Sequence, residues 1–393
     1  MNVSMLNKSK KQAMAIIVAS PLTQNIYERI GAGILSESFD VTVIDCLEWV
    51  RHYERKPDYN PMINENIYEA NSEIEFITLL TNLAPSFVLD FLGRGSYTRQ
   101  IQEVCNGLGI LYITHSLTPS PVPISQTKLV SSLVNNPVET VKKIFPFIWR
   151  KISQKGTLSP DIALLAGSES KNAWTKTAKK IIYTAGPAFH ELRKARSNKD
   201  ATSNLPAKDY ILFIDDCLAL SFDFQLGSQT AIIPADEYFL LLNSFFSKIE
   251  KFFNIPVVIA AHPNGKEYSN YGLRFNNRVT IFDATAQLTL SCRFVMTHVS
   301  TAINYAVLLR KPIGLLYFDQ LNNTPHGLQL KLIHRLLECE RFEIDRFFNL
   351  KKSVNYCIDE PSYKDYEEKY ITNINVKSSN SFAELIAYLK SLN

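Results

Sequence analysis

The sequence predicts an α/β protein of two successive domains, each built on a parallel sheet that helices cover. Three observations support this prediction. Short apolar runs rich in β-branched residues recur along the chain, a pattern typical of buried parallel strands. Stretches in which apolar residues follow helical spacing lie between many of these runs. The polar segment "KARSNKDATSNLPAK" (194–208) interrupts the alternation, which then starts again.

The first half begins with a pattern of strand, helix and strand. The run "AMAIIVAS" (13–20) predicts a buried strand, "QNIYERIGAGILSESF" a helix, and "DVTVIDC" (40–46) a second strand. Together they span about 33 residues, the size of a βαβ unit with a right-handed crossover. Further apolar runs predict strands at 87–93, 109–115 and 161–167.

The second half repeats this alternation. Apolar runs predict strands at 210–215, 256–262, 279–283, 293–298 and 313–318. Helical spacing predicts helices over 235–253, 284–290 and 300–309. The closing segment "SFAELIAYLKSLN" predicts a last helix with one apolar face, formed by Phe382, Leu385, Ile386 and Leu389.

These patterns divide the chain into three parts. We expect an N-terminal α/β domain over residues 1–200, a C-terminal α/β domain over 208–350, and a tail with the closing helix over 351–393. Two α/β domains of similar size suggest a cleft between them. Ligands of open α/β sheets bind beyond the carboxyl ends of the strands, so residues at strand ends are the first candidates for a site.

Composition and charge exclude several classes of protein. The chain has 393 residues, of which 46% are hydrophobic and 20% charged, the profile of a soluble globular protein. The net charge of +4 and the lack of a basic stripe argue against nucleic acid as a partner. The sequence contains no run of 18 apolar residues, so we expect no membrane span. The pI near 8.5 is compatible with peripheral contact at an anionic inner-membrane surface.

The cysteines point to a reducing compartment. All 6 lie far apart, without a CxxC pair and without a preceding secretory signal. We therefore expect reduced thiols, a cytoplasmic location and no zinc site. The sequence has no Asp-rich calcium loop and no convincing DxD pattern, so no metal or other cofactor is expected.

The first candidate site residues form an acidic pair. The apolar run of "YILFIDDCLAL" leads directly into Asp215 and Asp216. Adjacent carboxylates repel each other, which raises the affinity of one of them for a proton and suits a general base. The simpler alternative is that acidic residues end a strand at the solvent and cap the next turn.

The second candidate lies in "VVIAAHPNGKEYSNY". Pro263 favours an extended backbone at His262, which would hold the imidazole at the edge of the sheet. A histidine there can donate a hydrogen bond to a phosphate, and Asn264 and the cationic Lys266 follow in the same loop. A structural histidine is the alternative.

The third candidate lies in "RFVMTHVSTAINYAVLLRKPI", where a predicted strand ends at His298. Ser300 and Thr301 then open a predicted helix. Hydroxyl groups and the unpaired N–H groups of a helix start can bind an anion, so we expect His298, Ser300 and Thr301 to bind a phosphate. Plain helix capping is the alternative, since Ser and Thr are preferred capping residues.

The first half offers weaker candidates. In "DFLGRGSYTRQ", Gly93 and Gly95 flank Arg94 after an apolar strand, and could bring backbone N–H groups and a cation near an anionic ligand. His115 ends another predicted strand. A tight turn and a structural histidine are the alternatives, because the segment lacks the remaining residues of a P-loop or a dinucleotide fingerprint.

The motifs within 210–318 resemble those of bacterial GT-B glycosyltransferases of surface-polysaccharide loci. More narrowly, they are similar to the bacterial sialyltransferases, which show an acidic pair followed by Gly, an HP dipeptide and a Ser/Thr pair in this order. The resemblance implies a GT-B-like fold, in which two Rossmann-like domains face a central cleft. It departs from the family at Cys217, where the family has Gly, so the backbone freedom of glycine is missing.

The resemblance also implies roles for the candidate residues. Asp215 or Asp216 would be the base that deprotonates an acceptor hydroxyl. His262 would contact the phosphate of the donor and assist its departure. Ser300 and Thr301 would bind the same phosphate.

The function implied is a metal-independent glycosyltransferase. Its donor would be a nucleotide sugar held by the C-terminal domain, preferably a CMP-activated nonulosonic acid. Its acceptor would be a glycan of a surface polysaccharide (capsule or lipopolysaccharide) or a lipooligosaccharide. The alternatives are a UDP- or GDP-hexose donor, a sugar-nucleotide epimerase or hydrolase, and a non-catalytic binding protein on the same scaffold, because a fold does not settle a function.

Overall fold

The described residues form two compact units. The computed structural model describes residues 11–20, 22–51, 64–93, 95, 97–121, 158–172, 174–197, 206, 209–220, 232–322, 324–346, 357–373, 376 and 380–392. The first unit draws on Met1–Leu117, Ser125–Thr184 and Val376–Asn393, and the second on Thr118–Ile124 and Ala185–Asn375. Each unit is built around its own parallel sheet, as the sequence predicts.

The described residues of the first unit contain a seven-stranded sheet of order β3-β2-β1-β4-β5-β6-β7, in which every pairing is parallel. Its strands are β1 (Ala13–Val18), β2 (Asp40–Asp45), β3 (Ile67–Glu69), β4 (Phe87–Asp90), β5 (Leu111–Ser116), β6 (Ile162–Ala166) and β7 (Lys180–Thr184). Its helices are α1 (Gln24–Arg29), α2 (Ala32–Ser36), α3 (Leu47–Arg51), α4 (Glu73–Leu83), α5 (Thr98–Gly107) and the closing helix α12 (Ala383–Lys390).

The described residues of the second unit contain a six-stranded parallel sheet of order β10-β9-β8-β11-β12-β13. Its strands are β8 (Ile211–Ile214), β9 (Val257–Ala261), β10 (Thr280–Phe282), β11 (Phe294–Thr297), β12 (Ile313–Tyr317) and β13 (Glu340–Glu343). Its helices are α6 (Pro187–Ser197), α7 (Ala235–Phe253), α8 (Thr285–Ser291), α9 (Ile303–Leu308), α10 (Pro325–Leu337) and α11 (Glu360–Tyr366), which a π-helical turn (Glu367–Ile371) extends.

The strands predicted from apolar runs are confirmed. They correspond to β1, β2, β4, β5 and β6 in the first unit and to β8 through β12 in the second. The core strands β4, β6, β8, β9, β11 and β12 are buried at every position, which explains their continuous apolar sequence. The helix over 235–253 is confirmed at both ends as α7.

The closing helix packs where its apolar face is buried. Phe382, Leu385 and Leu389 are buried in the core of the first unit, and Ile386 packs against it. The ring of Phe382 lies where a side chain at position 31 would be, and Gly31 has φ of 74°. A glycine is therefore needed at this position, which also separates α1 from α2 within the segment predicted as one helix.

The two units divide the chain differently from the expected ranges 1–200, 208–350 and 351–393. The second unit begins at Ala185, because α6 buries Ala188, Leu192 and Ala195 against its residues Ala286 and Tyr305. The closing helix belongs to the first unit rather than to a separate tail.

Within the part of the chain that the structure describes, each helix is too short or too polar to cross a bilayer.

Candidate functional site

The three predicted motifs of the second unit follow three adjacent strands. Strand β8 lies between β9 and β11 and pairs with both in parallel. Their carboxyl ends therefore meet at one edge of the sheet. The acidic pair follows β8, the His-Pro loop follows β9, and the segment from His298 to Thr301 follows β11. The structure thus brings the three predicted motifs of the second unit to one edge of the sheet.

Asp215 is buried and connects the ends of β8 and β9 through hydrogen bonds. Its side chain is 2% exposed and accepts three hydrogen bonds. Oδ1 accepts from the N–H of Cys217 at 3.0 Å, and Oδ2 accepts from the N–H of His262 at 3.1 Å and from the Tyr271 hydroxyl at 2.7 Å. Burial, and then the charge of Asp216, raise the pKa of Asp215 to about 6, although the three hydrogen bonds act to lower it. The predicted direction is correct, but burial rather than repulsion is the main cause.

Asp216 makes the matching connection to β11. Its Oδ2 accepts from the N–H of Val299 at 3.1 Å, and the residue is only partly buried. Its Oδ1 is buried and has no partner among the described residues. Thus Asp215 binds the loop after β9, and Asp216 binds the loop after β11. With both Asp215 oxygens occupied and buried, Asp216 is the more suitable candidate base.

Cys217 occupies a backbone conformation that favours glycine. Its φ is 55°, in the left-handed region, and its side chain is 2% exposed. A residue with a Cβ atom adopts this region at a cost of about 1 kcal/mol or more. The turn after the acidic pair therefore has the shape that a glycine would adopt, although the sequence has cysteine there.

Replacing Cys217 by glycine is expected to change the free energy of unfolding by less than about 1 kcal/mol. Relief of the left-handed strain is offset by the larger backbone entropy of glycine in the unfolded chain and by the lost thiol packing. Cys217→Val is the contrasting variant, expected to cost about 2 kcal/mol because a β-branched residue is strained at positive φ. Urea denaturation measures both, and equal losses for the two variants would contradict this interpretation.

His262 has the extended backbone that Pro263 predicts, with φ of −64° and ψ of 139°. Its backbone N–H binds Asp215, and its ring Nδ1 accepts from the N–H of Asn264 at 3.2 Å. Because Nδ1 is an acceptor, the proton of the neutral ring is on Nε2. The partly buried imidazole is therefore in the tautomer whose Nε2–H could donate to an anionic oxygen.

Lys266 lies in the 3₁₀ turn that follows His262. Its side chain is 55% exposed and forms an ion pair with Asp283. The ammonium also lies 5.8 Å from the ring centroid of Phe282. A carboxylate thus already balances the charge that we expected Lys266 to present to a phosphate, so its contribution to an anion site is smaller than predicted.

Ser300 and Thr301 lie before the helix rather than in its first turn. Helix α9 begins at Ile303, and the hydroxyl of Ser300 accepts from the N–H of Ala302 at 3.3 Å. This bond forms a turn before the helix and is not a side-chain cap, because the N-cap residue is Ala302, whose side chain caps nothing. Thr301 is exposed. Both hydroxyl groups lie at the same sheet edge as His262, and their contact with phosphate stays a prediction.

His298 is buried rather than facing the site. Its side chain is 1% exposed, and its Nδ1 donates to the carbonyl oxygen of Leu316 at 2.7 Å. Phe213, Tyr238 and Phe318 surround the ring, with centroids 5.7 to 6.1 Å away. Burial lowers the pKa of His298. The expectation that His298 binds phosphate directly therefore does not fit its position, because the surrounding rings separate it from solvent.

Only part of the candidate Gly-Arg-Gly segment of the first unit can be located. Gly93 has φ of 78°, a conformation that favours glycine, and the N–H of Gly95 donates to the hydroxyl of Thr98 at 2.8 Å. Arg94 lies outside the described residues. The described part of the segment is the tight turn that we considered as the alternative.

His115 lies at the end of β5, next to the strand that Gly93 follows. Its ring packs against Phe91 at an angle of 41°, with centroids 4.0 Å apart. Burial, and then the charge of Arg29, lower the pKa of His115 to about 4. The ring is therefore neutral at physiological pH. Its Nδ1 is buried without a partner among the described residues.

Two further residues of this kind, Tyr271 and the buried Asp90 of the first unit, were not predicted from the sequence. Tyr271 lies in a 3₁₀ turn without a motif, 56 residues from the Asp215 that it binds. Asp90 repeats the Asp215 arrangement at the end of β4, since it accepts from the N–H of Leu92 and from the Tyr112 hydroxyl. Burial raises the pKa of Asp90 to about 6. An aspartate that closes an apolar run is the signal that these sites share.

Comparison with known proteins shows the fold. No protein-family model and no curated protein matches the sequence. The chain is similar to the solved structure of UDP-GlcNAc 2-epimerase from Neisseria meningitidis bound to UDP-GlcNAc, with 12% identity over 96% of this chain and 99% of that one, and a TM-score of 0.52. It is also similar to the UDP-GlcNAc 2-epimerase from Methanocaldococcus jannaschii in complex with UDP-GlcNAc and UDP, with 12% identity, coverages of 96% and 99%, and a TM-score of 0.51.

A third similar structure is the H444N variant of the wall teichoic acid polymerase TagF, with 13% identity over 97% of this chain and 90% of that one, and a TM-score of 0.52. At such low identity these likenesses concern the fold alone. They confirm the prediction of a GT-B-like fold with two parallel-sheet α/β domains. The narrower similarity to sialyltransferases stays a prediction.

Proposed function

We propose that this chain is an enzyme that acts on a nucleotide-activated sugar, with the donor phosphate bound at the carboxyl ends of β8, β9 and β11. One observation carries the proposal: the acidic pair joins the two neighbouring loops, through Asp215 to His262 and through Asp216 to Val299. Ligands of open parallel sheets bind at this edge. The GT-B-like fold supports the same conclusion, since similar structures are named as nucleotide-sugar enzymes.

The geometry supports a division of roles for a transfer reaction. Asp216 would take the proton from the acceptor hydroxyl, while the buried Asp215 fixes the loop that carries His262. The Nε2–H of His262 would donate to the leaving phosphate, where negative charge develops. The hydroxyl groups of Ser300 and Thr301 would add donors to the same phosphate. These protein groups account for the proton and for the leaving-group charge, so the proposed step requires no metal.

Two donors have separate support. A UDP-linked sugar is supported by the similar structures, of which two are named as UDP-GlcNAc 2-epimerases. A CMP-activated nonulosonic acid is supported by the order of the three motifs alone. We therefore propose transfer of a sugar to a surface-glycan acceptor, with a UDP-linked donor placed before a CMP-linked one. The reaction would occur in the cytoplasm at the inner-membrane surface, which the basic pI favours.

A 2-epimerase is the second candidate, favoured by the names of those two structures. The two functions differ in what turnover requires. An epimerase converts its nucleotide sugar without an acceptor, whereas a transferase is slow until an acceptor glycan is added. Product analysis with and without a lipooligosaccharide acceptor separates them.

We expect a nucleotide panel to identify the donor class. A ligand that binds only the folded protein adds about 2.7 kcal/mol of stability at about 100 times its Kd. Thermal shifts are measured with CMP, UDP, GDP, ADP and UDP-GlcNAc. We expect a selective response to UDP and UDP-GlcNAc. A response to CMP alone would instead support the nonulosonic acid donor, and no response to any nucleotide would overturn the proposed function.

A further inference from the structure

A group of polar atoms lies inside the second unit next to Asp216. Oδ1 of Asp216, the hydroxyl of Tyr238 and Nε2 of His298 are each buried without a hydrogen-bond partner among the described residues. A buried polar atom without a partner is unfavourable and uncommon in folded proteins. Three such atoms on neighbouring side chains therefore indicate a shared partner.

The three side chains are neighbours. The rings of Tyr238 and His298 lie 5.7 Å apart at an angle of 41°. Asp216 binds the N–H of Val299, the residue that follows His298. Tyr238 and His298 are each 1% exposed, so bulk solvent does not reach them.

The electrostatic interactions agree with this proximity. Burial raises the pKa of Tyr238, and the charge of Asp216 raises it further. Burial lowers the pKa of His298, and the charge of Asp216 opposes this effect. In both cases Asp216 has the largest effect among the neighbouring charges. The other titratable groups that act on these two rings are Asp215, Cys217 and His326.

The donors and acceptors of the three atoms fit one water molecule. His298 donates from Nδ1 to Leu316, so its Nε2 carries a lone pair and can only accept. Oδ1 of ionised Asp216 also only accepts, whereas the Tyr238 hydroxyl has a proton to donate. One water can donate to Asp216 and to His298 while it accepts from Tyr238. Internal waters typically make about three such bonds to buried polar groups.

We propose that Tyr238 and His298 are positioning residues that hold Asp216 through a single internal water. The water would orient the carboxylate from the protein interior, leaving Oδ2 toward the loop after β11. A role of this water in orienting Asp216 as a general base rests on the proposed function, whereas the existence of the water bridge does not.

Two matched variants test the bridge. Tyr238→Phe removes only a hydroxyl group and keeps the ring. Tyr317→Phe is its control, because the Tyr317 hydroxyl is also buried without a partner among the described residues, while its ring lies against Arg341, 4.0 Å from the guanidinium. Melting temperature is measured at pH 7 for both variants, alone and in combination with Asp216→Asn.

We expect Tyr238→Phe to lower the Tm by roughly 2 to 4 °C at pH 7. The loss should be smaller when Tyr238→Phe is added to Asp216→Asn, because side chains that share one water have effects that are not additive. Tyr317→Phe should cost the same with and without Asp216→Asn, since its ring lies against Arg341 instead.

Two results would overturn the bridge. An unchanged or higher Tm for Tyr238→Phe would mean that its hydroxyl has no partner, since removal of an unsatisfied group removes its burial cost. A crystal structure without density for a water within about 3.2 Å of all three atoms would do the same. Neither measurement depends on nucleotide binding, so the proposed function and the bridge can fail independently.

Discussion

Asp215→Ala is expected to lower the free energy of unfolding by about 3 to 5 kcal/mol, the largest stability effect at the site. The substitution leaves three buried donors without their acceptor: the N–H groups of Cys217 and His262 and the hydroxyl of Tyr271. Each buried donor that loses its partner costs about 1 to 3 kcal/mol, and partial relaxation reduces the sum. Urea denaturation measures the change from the shift of the midpoint at constant slope.

Two variants give the scale for this effect. Asp216→Ala removes the acceptor of one N–H group, that of Val299, and is expected to cost about 1 kcal/mol. Tyr271→Phe removes one of the three donors and leaves Asp215 its two backbone bonds, so a loss of about 1 kcal/mol is expected as well. If Asp215→Ala were no worse than Asp216→Ala, the junction between β8 and β9 would not depend on this carboxylate.

The carboxyl group of Asp215 also makes the free energy of unfolding depend on pH, and stability should fall as the pH rises. Burial raises the pKa of Asp215 from 3.8 to about 6, so the folded protein holds this proton more tightly than the unfolded chain does. Its contribution to stability is therefore complete below pH 4 and is lost as the pH rises through about 6. We expect Asp215→Asn to remove this fall, which amounts to about 1 to 3 kcal/mol, from the stability profile.

The buried strands were predictable because burial itself dictates their sequence. A central parallel strand is covered on both faces, so "ILFI" in β8 and "FVMT" in β11 appear as continuous apolar runs. Strands β3 and β13 are at sheet edges, and their sequences "IYE" and "ERFE" carry the polar residues of partly exposed positions. Such short edge strands differ little from loops in sequence.

The candidate site was predictable in its parts but not in its connections. The sequence places Asp215, His262 and Ser300 after separate strands, but it does not reveal that β8 lies between β9 and β11. The burial of His298 depends on rings from other elements, among them Tyr238 of α7. Contacts over such sequence distances leave no local pattern.

Cys217 shows how a departure from a motif can keep the motif's backbone. Cys217 lies where the sialyltransferase motif has glycine, and it lacks the backbone freedom of glycine. Its φ of 55° nevertheless places the backbone of the turn in the left-handed region. The N–H of Cys217 binds Oδ1 of Asp215, and this bond stabilises the turn against the strain of a Cβ atom. The acidic pair is therefore presented as it would be with glycine, which supports retaining it in the proposed site.

His262→Asn is expected to lower turnover of the nucleotide sugar by about 10² to 10⁴-fold, the usual contribution of a group that transfers or donates a proton. Asparagine can make the same two structural hydrogen bonds as histidine at this position. Its backbone N–H can still bind Asp215, and its side chain can still accept from the N–H of Asn264, because asparagine is a preferred capping residue. The variant therefore removes the Nε2–H donor while it preserves the loop, and its Tm should change little.

His334→Asn is the matched control for this change. His334 lies in α10, where its Nδ1 hydrogen-bonds the carbonyl oxygen of Cys339 at 2.8 Å, and its loss should leave turnover within about twofold. Turnover is measured with the nucleotide sugar selected by the thermal-shift panel, with and without acceptor. Loss of turnover with nucleotide binding retained would assign His262 to the leaving phosphate in the transition state. Wild-type turnover in His262→Asn would restrict the histidine to capping the turn, and the leaving-group donor would then have to be sought at Ser300 or Thr301.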